Sequence, residues 1–353
     1  MNLYANPWVD IGPHRVGVGH APFIVAEVGI NHNGELDRAL AMIAVAKSTG
    51  CDAVKFQTFR ADEFVGDPTQ MFTYQSQGES VTESMLEMFR RYELPQSAWS
   101  VLKAECDKQN ILFLSTPQNR SDLDILLNVG VSAVKVGSDD FTNLPLLQSY
   151  ATTGLPIILS TGMSDMSEAH QALEAVGAFD GYPVILLVCT SQYPTPPDDV
   201  NLARVTTLSS AFPMVPIGFS DHTSGPLASS LAVAMGAAFY EKHFTLSHDL
   251  PGPDHWFSED PGGLKVWVDS IRTASRMLGS PLVRPTETER KNKREYQRRL
   301  VAARDVAAGE TMAEETITLR RVSGGRGLPP NMLPYLLGRP APHAMRAGEP
   351  IEL

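Results

Sequence analysis

Two lysines sit in the middle of short apolar runs, Lys55 in DAVKFQT (52–58) and Lys135 in SAVKVGS (132–138). Side chains on a strand alternate between its faces, so Lys55 shares a face with Gln57, and Glu241 shares one with His243. If that face points into a closed barrel, a buried ammonium needs an anion beside it. Hydroxyls recur at the ends of the neighbouring runs, as Thr116, Ser138, Ser160 and Ser220. Ammonium groups ringed by hydroxyls are suited to holding a phosphate or a carboxylate. The plainer reading has each lysine leaning into solvent or paired with Glu27.

His222 and His243 close two successive runs, with Asp221 and Glu241 beside them. Two imidazoles can hold one divalent ion and leave its other positions to water and substrate, which suits a Lewis acid. The plainer reading is a pair of hydrogen-bonded core histidines. Pro251-Gly252-Pro253-Asp254-His255 reads as a rigid turn, with Asp254 able to face the mouth. Gly29 and Gly34 lack the spacing of a dinucleotide fingerprint, so a nicotinamide or flavin cofactor is not expected.

These residues need a scaffold that brings strand ends together. Eight strand-like runs occupy 23–28, 52–58, 111–116, 132–138, 156–161, 183–190, 214–220 and 237–244. Between them, segments such as ELDRALAMIAVAKSTG repeat apolar residues at three- and four-residue steps, as amphipathic helices do. Eight such units over residues 1–280 predict an α/β fold of the (β/α)8 TIM-barrel type, whose reactive groups lie where strands end. An open doubly wound sheet is the rival. Residues 281–297, charged and proline-bearing, read as a solvated linker. Residues 298–353 read as a small β-rich domain, with an internal echo in Ala308-Gly309-Glu310 and Ala347-Gly348-Glu349. That domain is too small for a deep core and is expected to lean on the barrel or on a second subunit.

Of the 353 residues, 29 are basic and 40 acidic, a net charge of −11, so nucleic acid is not an expected partner. Cys51, Cys106 and Cys189 form neither a disulfide framework nor a zinc spacing and read as small buried hydrophobes. Residues 1–20 lack the basic start and apolar core of a secretory leader, and no apolar run is long enough to span a bilayer. A cytoplasmic protein with no membrane partner is expected.

Taken in order, EVGINHNG (27–34), VKFQT (54–58), STP (115–117), LSTGM (159–163), YPTP (193–196), GFSDHT (218–223), EKHFT (241–245) and PGPD (251–254) resemble the successive motifs of the sialic acid synthases. The last 55 or so residues are similar, more loosely, to that family's antifreeze-like (SAF, β-clip) domain. The resemblance implies condensation of phosphoenolpyruvate with an N-acyl hexosamine, giving a nonulosonic acid and phosphate, with manganese or magnesium as the divalent ion. It implies that His222 and His243 hold the metal. Lys55, Thr116, Lys135, Ser138, Ser160, Ser191 and Ser220 would surround phosphoenolpyruvate. Glu27, Gln57, Tyr193 and Asp254 would serve catalysis, facing the sugar or the attacking water. Asp140 stands where the family often has Glu, and Ser191-Gln192 replaces its usual Asn. A domain-swapped homodimer is implied, with Arg321 or Arg326 reaching the sugar's acyl group. Two other readings stay open: a metal-dependent aldolase or lyase acting on a sugar phosphate, and a non-catalytic sugar-binding relative.

Overall fold

A computed structural model describes residues 7–352. The first six residues of the 1–20 segment, and Leu353, lie outside the described residues.

Fourteen strands are present among them: β1 (Trp8–Ile11), β2 (His14–Gly17), β3 (Phe23–Gly29), β4 (Ala53–Thr58), β5 (Met71–Ser76), β6 (Glu79–Ser84) and β7 (Leu112–Pro117) come first. They are followed by β8 (Val134–Val136), β9 (Ile157–Ser160), β10 (Val184–Cys189), β11 (Ile217–Asp221), β12 (Phe239–His243), β13 (Arg299–Ala302) and β14 (Ile317–Arg320). Eight of them form one parallel sheet in the order β7-β4-β3-β12-β11-β10-β9-β8. The end strands β7 and β8 lie alongside each other, so the sheet is a nearly closed barrel. Each of the eight runs read from the sequence is one of these strands.

Alternation divides the core in two. Outward side chains such as Ile24, Val54, Phe113 and Leu186 pack against Met42, Trp99 and Trp267 of the surrounding helices. Inward ones, including Val25, Ala53, Leu114, Ile158, Leu187 and Phe239, fill the barrel's lower half. The antiparallel β1–β2 hairpin closes that end with Val9, Ile11 and Val16. Burying each large apolar side chain stabilises by about 1.5–3 kcal/mol, so this floor secures the fold and leaves the layer above free to carry charge.

Two hairpins depart from the sequence reading. β1 and β2 are only four residues each. β5 and β6 carry mostly polar residues and join at Gln77-Gly78, where φ is 53° and 83°. Two adjacent left-handed residues suit a two-residue hairpin turn, a signal outweighed in the sequence by the surrounding polarity.

The chain divides into compact units at residues 1–279 and 280–353. The charged run 281–297 contains a helix, Glu287–Tyr296, opened by a Thr286–Glu289 capping box. It belongs to the second unit, where the Arg321 guanidinium lies 5.7 Å over the Tyr296 ring. That unit also contains the antiparallel pair β13–β14 and a core of Leu300, Val306, Met312, Ile317, Met345 and Ile351. Its internal echo is a repeated turn: Gly309 and Gly348 have φ near 80°, while Glu310 and Glu349 accept from the backbone N–H of Ala307 and Arg346. No helix among the described residues is long and apolar enough to cross a membrane.

Candidate active site

One rung above the apolar floor, the inward positions turn polar. Glu27 on β3, Lys55 on β4, Thr116 on β7, Lys135 on β8, Ser160 on β9, Cys189 on β10, Ser220 on β11 and Glu241 on β12 all line one cavity of about 340 Å³. This is the C-terminal mouth of the parallel strands, where barrels of this kind carry their chemistry.

Both lysines are 3% exposed and neither is unpaired. Lys55 Nζ lies 2.7 Å from Glu27 Oε2 and 3.7 Å from Glu241 Oε2, and donates to Thr116 Oγ1 at 3.2 Å. Lys135 Nζ lies 3.6 Å from Glu241 Oε1 and donates to Ser160 Oγ at 2.8 Å. Ser220 Oγ donates to the same Glu241 oxygen at 3.2 Å. Glu241 therefore serves as counter-ion to both lysines.

Burial disfavours every charge here, and the neighbours decide which ones survive. Burial pushes the Glu27 carboxyl up to about 7, although Lys55 pulls it back. Burial opposes a charged Lys55, but Glu241 and Glu27 outweigh it and hold the ammonium above its ordinary range. Lys135, less well compensated, is lowered by burial. For Glu241, burial is overcome by Lys135 and Lys55, and the carboxylate is held below its ordinary value. Two ammoniums against two carboxylates leave no formal excess, and one of the carboxyls takes a proton near neutrality.

The two histidines stand above this quartet with ring centroids 5.5 Å apart, and Tyr193 packs against both, at 4.2 and 5.7 Å. His222 Nδ1 lies 2.8 Å from the Thr190 carbonyl. A carbonyl only accepts, so Nδ1 carries the proton and Nε2 keeps its lone pair. His243 Nδ1 is buried without a hydrogen-bond partner, 3.8 Å from Asp254 Oδ2, and burial holds that imidazole neutral well below its ordinary range. Burial opposes a charged His222, but Cys189 and the Thr190 carbonyl outweigh it and hold that imidazole above its ordinary range, so a cation on the two rings would take the place of a proton there. Among the described residues no three His, Cys, Asp or Glu side chains are arranged around one point. An ion held here would thus have two imidazole ligands and most of its positions open.

The strand ends carrying these histidines are fixed from outside the barrel. Next to His222, Asp221 accepts from Ser229 Oγ at 2.6 Å and from the Trp267 indole at 3.3 Å. Next to His243, Lys242 lies 3.2 Å from Asp221 and 3.7 Å from Glu259. The Glu259 N–H in turn donates to the His243 carbonyl at 2.9 Å.

Of the residues picked out by the sequence, Glu27, Lys55, Gln57, Thr116, Lys135, Ser138, Ser160, Ser191, Tyr193, Ser220, His222 and His243 all line the cavity. Ser138 Oγ accepts from the Gly162 N–H at 3.1 Å, and a side chain at Gly162 would overlap the Ser138 and Ser191 hydroxyls. Asp254 lines an adjoining cavity with Gln57, Tyr193 and His243, and burial pushes its carboxyl up to about 6. Asp140, which the resemblance sets at the sugar, accepts from Asn143 Nδ2 at 2.9 Å and is not among the residues lining this cavity, whereas Asp139 is. The loop turns just after β8, so one position along the chain changes what the side chain faces. Arg321 and Arg326 belong to the second unit, where Arg326 pairs with Glu352 at 3.2 Å.

Five lining residues escaped the sequence reading, Phe64 and Phe89 among them. Cys189 was expected to be a plain hydrophobe, as Cys51 and Cys106 are within the outer core. Instead its Sγ lies 3.5 Å from Ser138 Oγ and 4.0 Å from His222 Nδ1. The alternation Ile185, Leu187, Cys189 along β10 carries the signal. Gln118 and Met163 also line the cavity, from loops whose course periodicity does not encode.

Residues 42–282 match the NeuB family, and residues 297–353 match the SAF domain. The chain is 39% identical over 320 residues to the N,N'-diacetyllegionaminic acid synthase of Legionella pneumophila, covering 90% of this chain and 89% of that one. It is 33% identical to the human N-acetylneuraminate-9-phosphate synthase, covering 94% and 92%. The crystal structure of the N-acetylneuraminic acid synthetase of Leptospira borgpetersenii, in complex with citrate, superposes with a TM-score of 0.73 at 33% identity, over 81% of this chain and 95% of that one. An eight-stranded barrel with this polar mouth, joined to a C-terminal SAF domain, belongs to the NeuB family of sialic acid synthases.

Proposed function

We propose that the chain is a nonulosonic acid synthase that condenses phosphoenolpyruvate with an N-acyl hexosamine. Carbon 3 of the enol bonds to the open-chain aldehyde carbon, a water oxygen bonds to carbon 2, the bond from carbon 2 to the phosphate oxygen breaks, and phosphate leaves. The observation that carries this reading is the pairing of Lys55 and Lys135 with Thr116 and Ser160 at one end of a cavity that has His222 and His243 at the other.

The chain's own groups suit each demand. Lys55 and Lys135 meet the phosphate and carboxylate, and an incoming anion restores the charge that burial takes from Lys135. Glu27, buried and titrating near 7, can receive a proton from the attacking water at neutral pH, and as carboxylate it offsets positive charge developing at carbon 2. Gln57, Tyr193 and Asp254 flank the side from which an acceptor would enter. A divalent cation, manganese or magnesium, on His222 and His243 would supply Lewis acidity at the acceptor aldehyde. The family resemblance further supports a domain-swapped homodimer in which Arg321 or Arg326 meets the acyl group.

The test is phosphate release from phosphoenolpyruvate with manganese and a panel of N-acyl hexosamines, with mass analysis of the 3-deoxy acid formed. His222→Ala is expected to abolish release while the circular-dichroism spectrum is unchanged. Turnover of a sugar phosphate without phosphoenolpyruvate would replace this reading with an aldolase.

A further inference from the structure

The turn after β3, Gly29-Ile30-Asn31-His32-Asn33-Gly34, places no side chain in the charged cavity or in the one beside it. Asn31 and Asn33 reach instead into the loop that follows β12, 213 to 227 residues further along the chain.

That loop leaves the barrel at Phe244 and returns at Glu259, and these two residues pair as a parallel bridge. Asn31, 1% exposed, sits at this root. Its Nδ2 donates both hydrogens, one to the Phe244 carbonyl at 2.9 Å and one to Ser258 Oγ at 3.0 Å. Ser258, 3% exposed, has a single hydroxyl hydrogen, which goes to the Asp254 carbonyl at 2.5 Å. From Asn31 to Ser258 to Asp254 the direction of every bond is therefore fixed. Asn31 Oδ1 is buried with no partner. An unpartnered buried acceptor is a cost to the fold, so what position 31 supplies is its pair of N–H donors.

Asn33 grips the crown of the same loop. Its Nδ2 donates to the Pro251 carbonyl at 2.7 Å, and its Oδ1 accepts from His255 Nε2 at 2.9 Å. The Gly252 N–H donates to Ser76 Oγ at 3.0 Å. Asp254 is thus held by its own carbonyl and by its neighbours on both sides. Its carboxylate is left facing the cavity it shares with Gln57, Tyr193 and His243, 3.8 Å from His243 Nδ1. A carboxylate aimed by its backbone moves when that backbone moves, and a misplacement of about 1 Å at a reacting centre costs about a hundredfold in rate.

We infer that Asn31 is a positioning residue for the condensation: through the Ser258 hydroxyl it holds Asp254 at the mouth, and it touches no substrate itself. This rests on the role proposed above for Asp254.

The experiment is a double-mutant cycle on phosphate release, with manganese, phosphoenolpyruvate and the N-acyl hexosamine that gives the fastest release. Asn31→Ala and Ser258→Ala should each lower kcat about tenfold to a hundredfold. KM for phosphoenolpyruvate should stay constant, because Lys55 and Lys135 do not line the cavity that Asp254 faces. Asp254→Asn should lower kcat about a hundredfold, and adding Asn31→Ala to it should cost nothing more. Losses that multiply in the double variant, or a KM for phosphoenolpyruvate that rises as kcat falls, would make Asn31 merely structural and overturn the inference. A fully active Asp254→Asn would overturn the role of Asp254, and the inference with it, while leaving the condensation standing. A crystal structure of Ser258→Ala needs no turnover. It should show the Asp254 carboxylate displaced by about 1 Å, and an unmoved carboxylate overturns the inference even if no acceptor supports release.

Discussion

The lower and upper halves of this barrel use the same inward-facing strand positions for opposite ends. Below, Val25, Ala53, Leu114, Ile158 and Leu187 meet the β1–β2 hairpin in an apolar plug. Two residues further along each strand the same face carries Glu27, Lys55, Thr116, Ser160 and Cys189. Stability is concentrated where the side chains are interchangeable hydrocarbons. Chemistry is concentrated where four buried charges are held by one another, by hydroxyls, by Gln57 and by the Val136 carbonyl. A scaffold that separates the two by a single rung can alter its mouth without losing its core.

The largest expected effect comes from the mouth. Lys55→Met should lower phosphoenolpyruvate turnover by about 10²–10³. Its thermal midpoint should move by only a few degrees, on the order of 1 kcal/mol, because Glu27, already near 7, takes a proton once its partner is gone. Calorimetry beside the phosphate assay checks both halves; a collapsed fold would show that the mouth is structural after all. The mirror experiment is Leu187→Ala in the floor. It should cost about 2–5 kcal/mol of stability by denaturant titration, while kcat at a temperature well below melting stays near wild type.

That division explains how much was legible in the sequence. Alternation alone puts Lys55, Lys135 and Ser160 on one face, because each follows an apolar inward residue two positions earlier (Ala53, Ala133 and Ile158), and it carries that face on through Ser220 to His222 and through Glu241 to His243. The same rule reaches Glu241 and Cys189. The role of Glu241, counter-ion to two lysines, emerges only from the strand order and the closure of the barrel, which set β12 two strands from β4 and across the barrel from β8. Asp139 against Asp140 was not legible, because a loop's course after β8 follows from local dihedral angles and not from hydrophobic period. The β5–β6 hairpin was missed for a related reason: Phe72, Tyr74 and Val81 are the only apolar residues on one face, too short an alternation to stand out among polar neighbours, and Gln77-Gly78 marks the turn.

A smaller effect tests whether the charged mouth depends on support from outside the barrel. Asp221→Asn keeps the shape of the side chain but removes the charge opposite Lys242. Manganese affinity, read by electron paramagnetic resonance of the free ion, should fall about tenfold to a hundredfold, with the KM for phosphoenolpyruvate little changed. Equal losses in both would mean general damage to the barrel.

Another prediction concerns the loop bracing the acceptor side. Burial pushes His32 down to about 3 and His255 to about 4, both below the ordinary 6.5. Between those values the unfolded chain binds more protons than the folded one, so stability is full above pH 6.5 and declines as pH falls toward 4. The slope approaches about 1.4 kcal/mol per pH unit for each group. Thermal melts from pH 7 to pH 5 should show this decline, and His32→Gln should flatten it; an unchanged slope would remove His32 from the account.

The most direct test of the whole is a crystal soaked with manganese and phosphoenolpyruvate, with anomalous diffraction recorded at the manganese edge. The account predicts one anomalous peak within bonding distance of both His222 and His243, with phosphate density against Lys55 and Lys135 in the same cavity. A peak elsewhere, or phosphoenolpyruvate bound away from the two lysines, would contradict it.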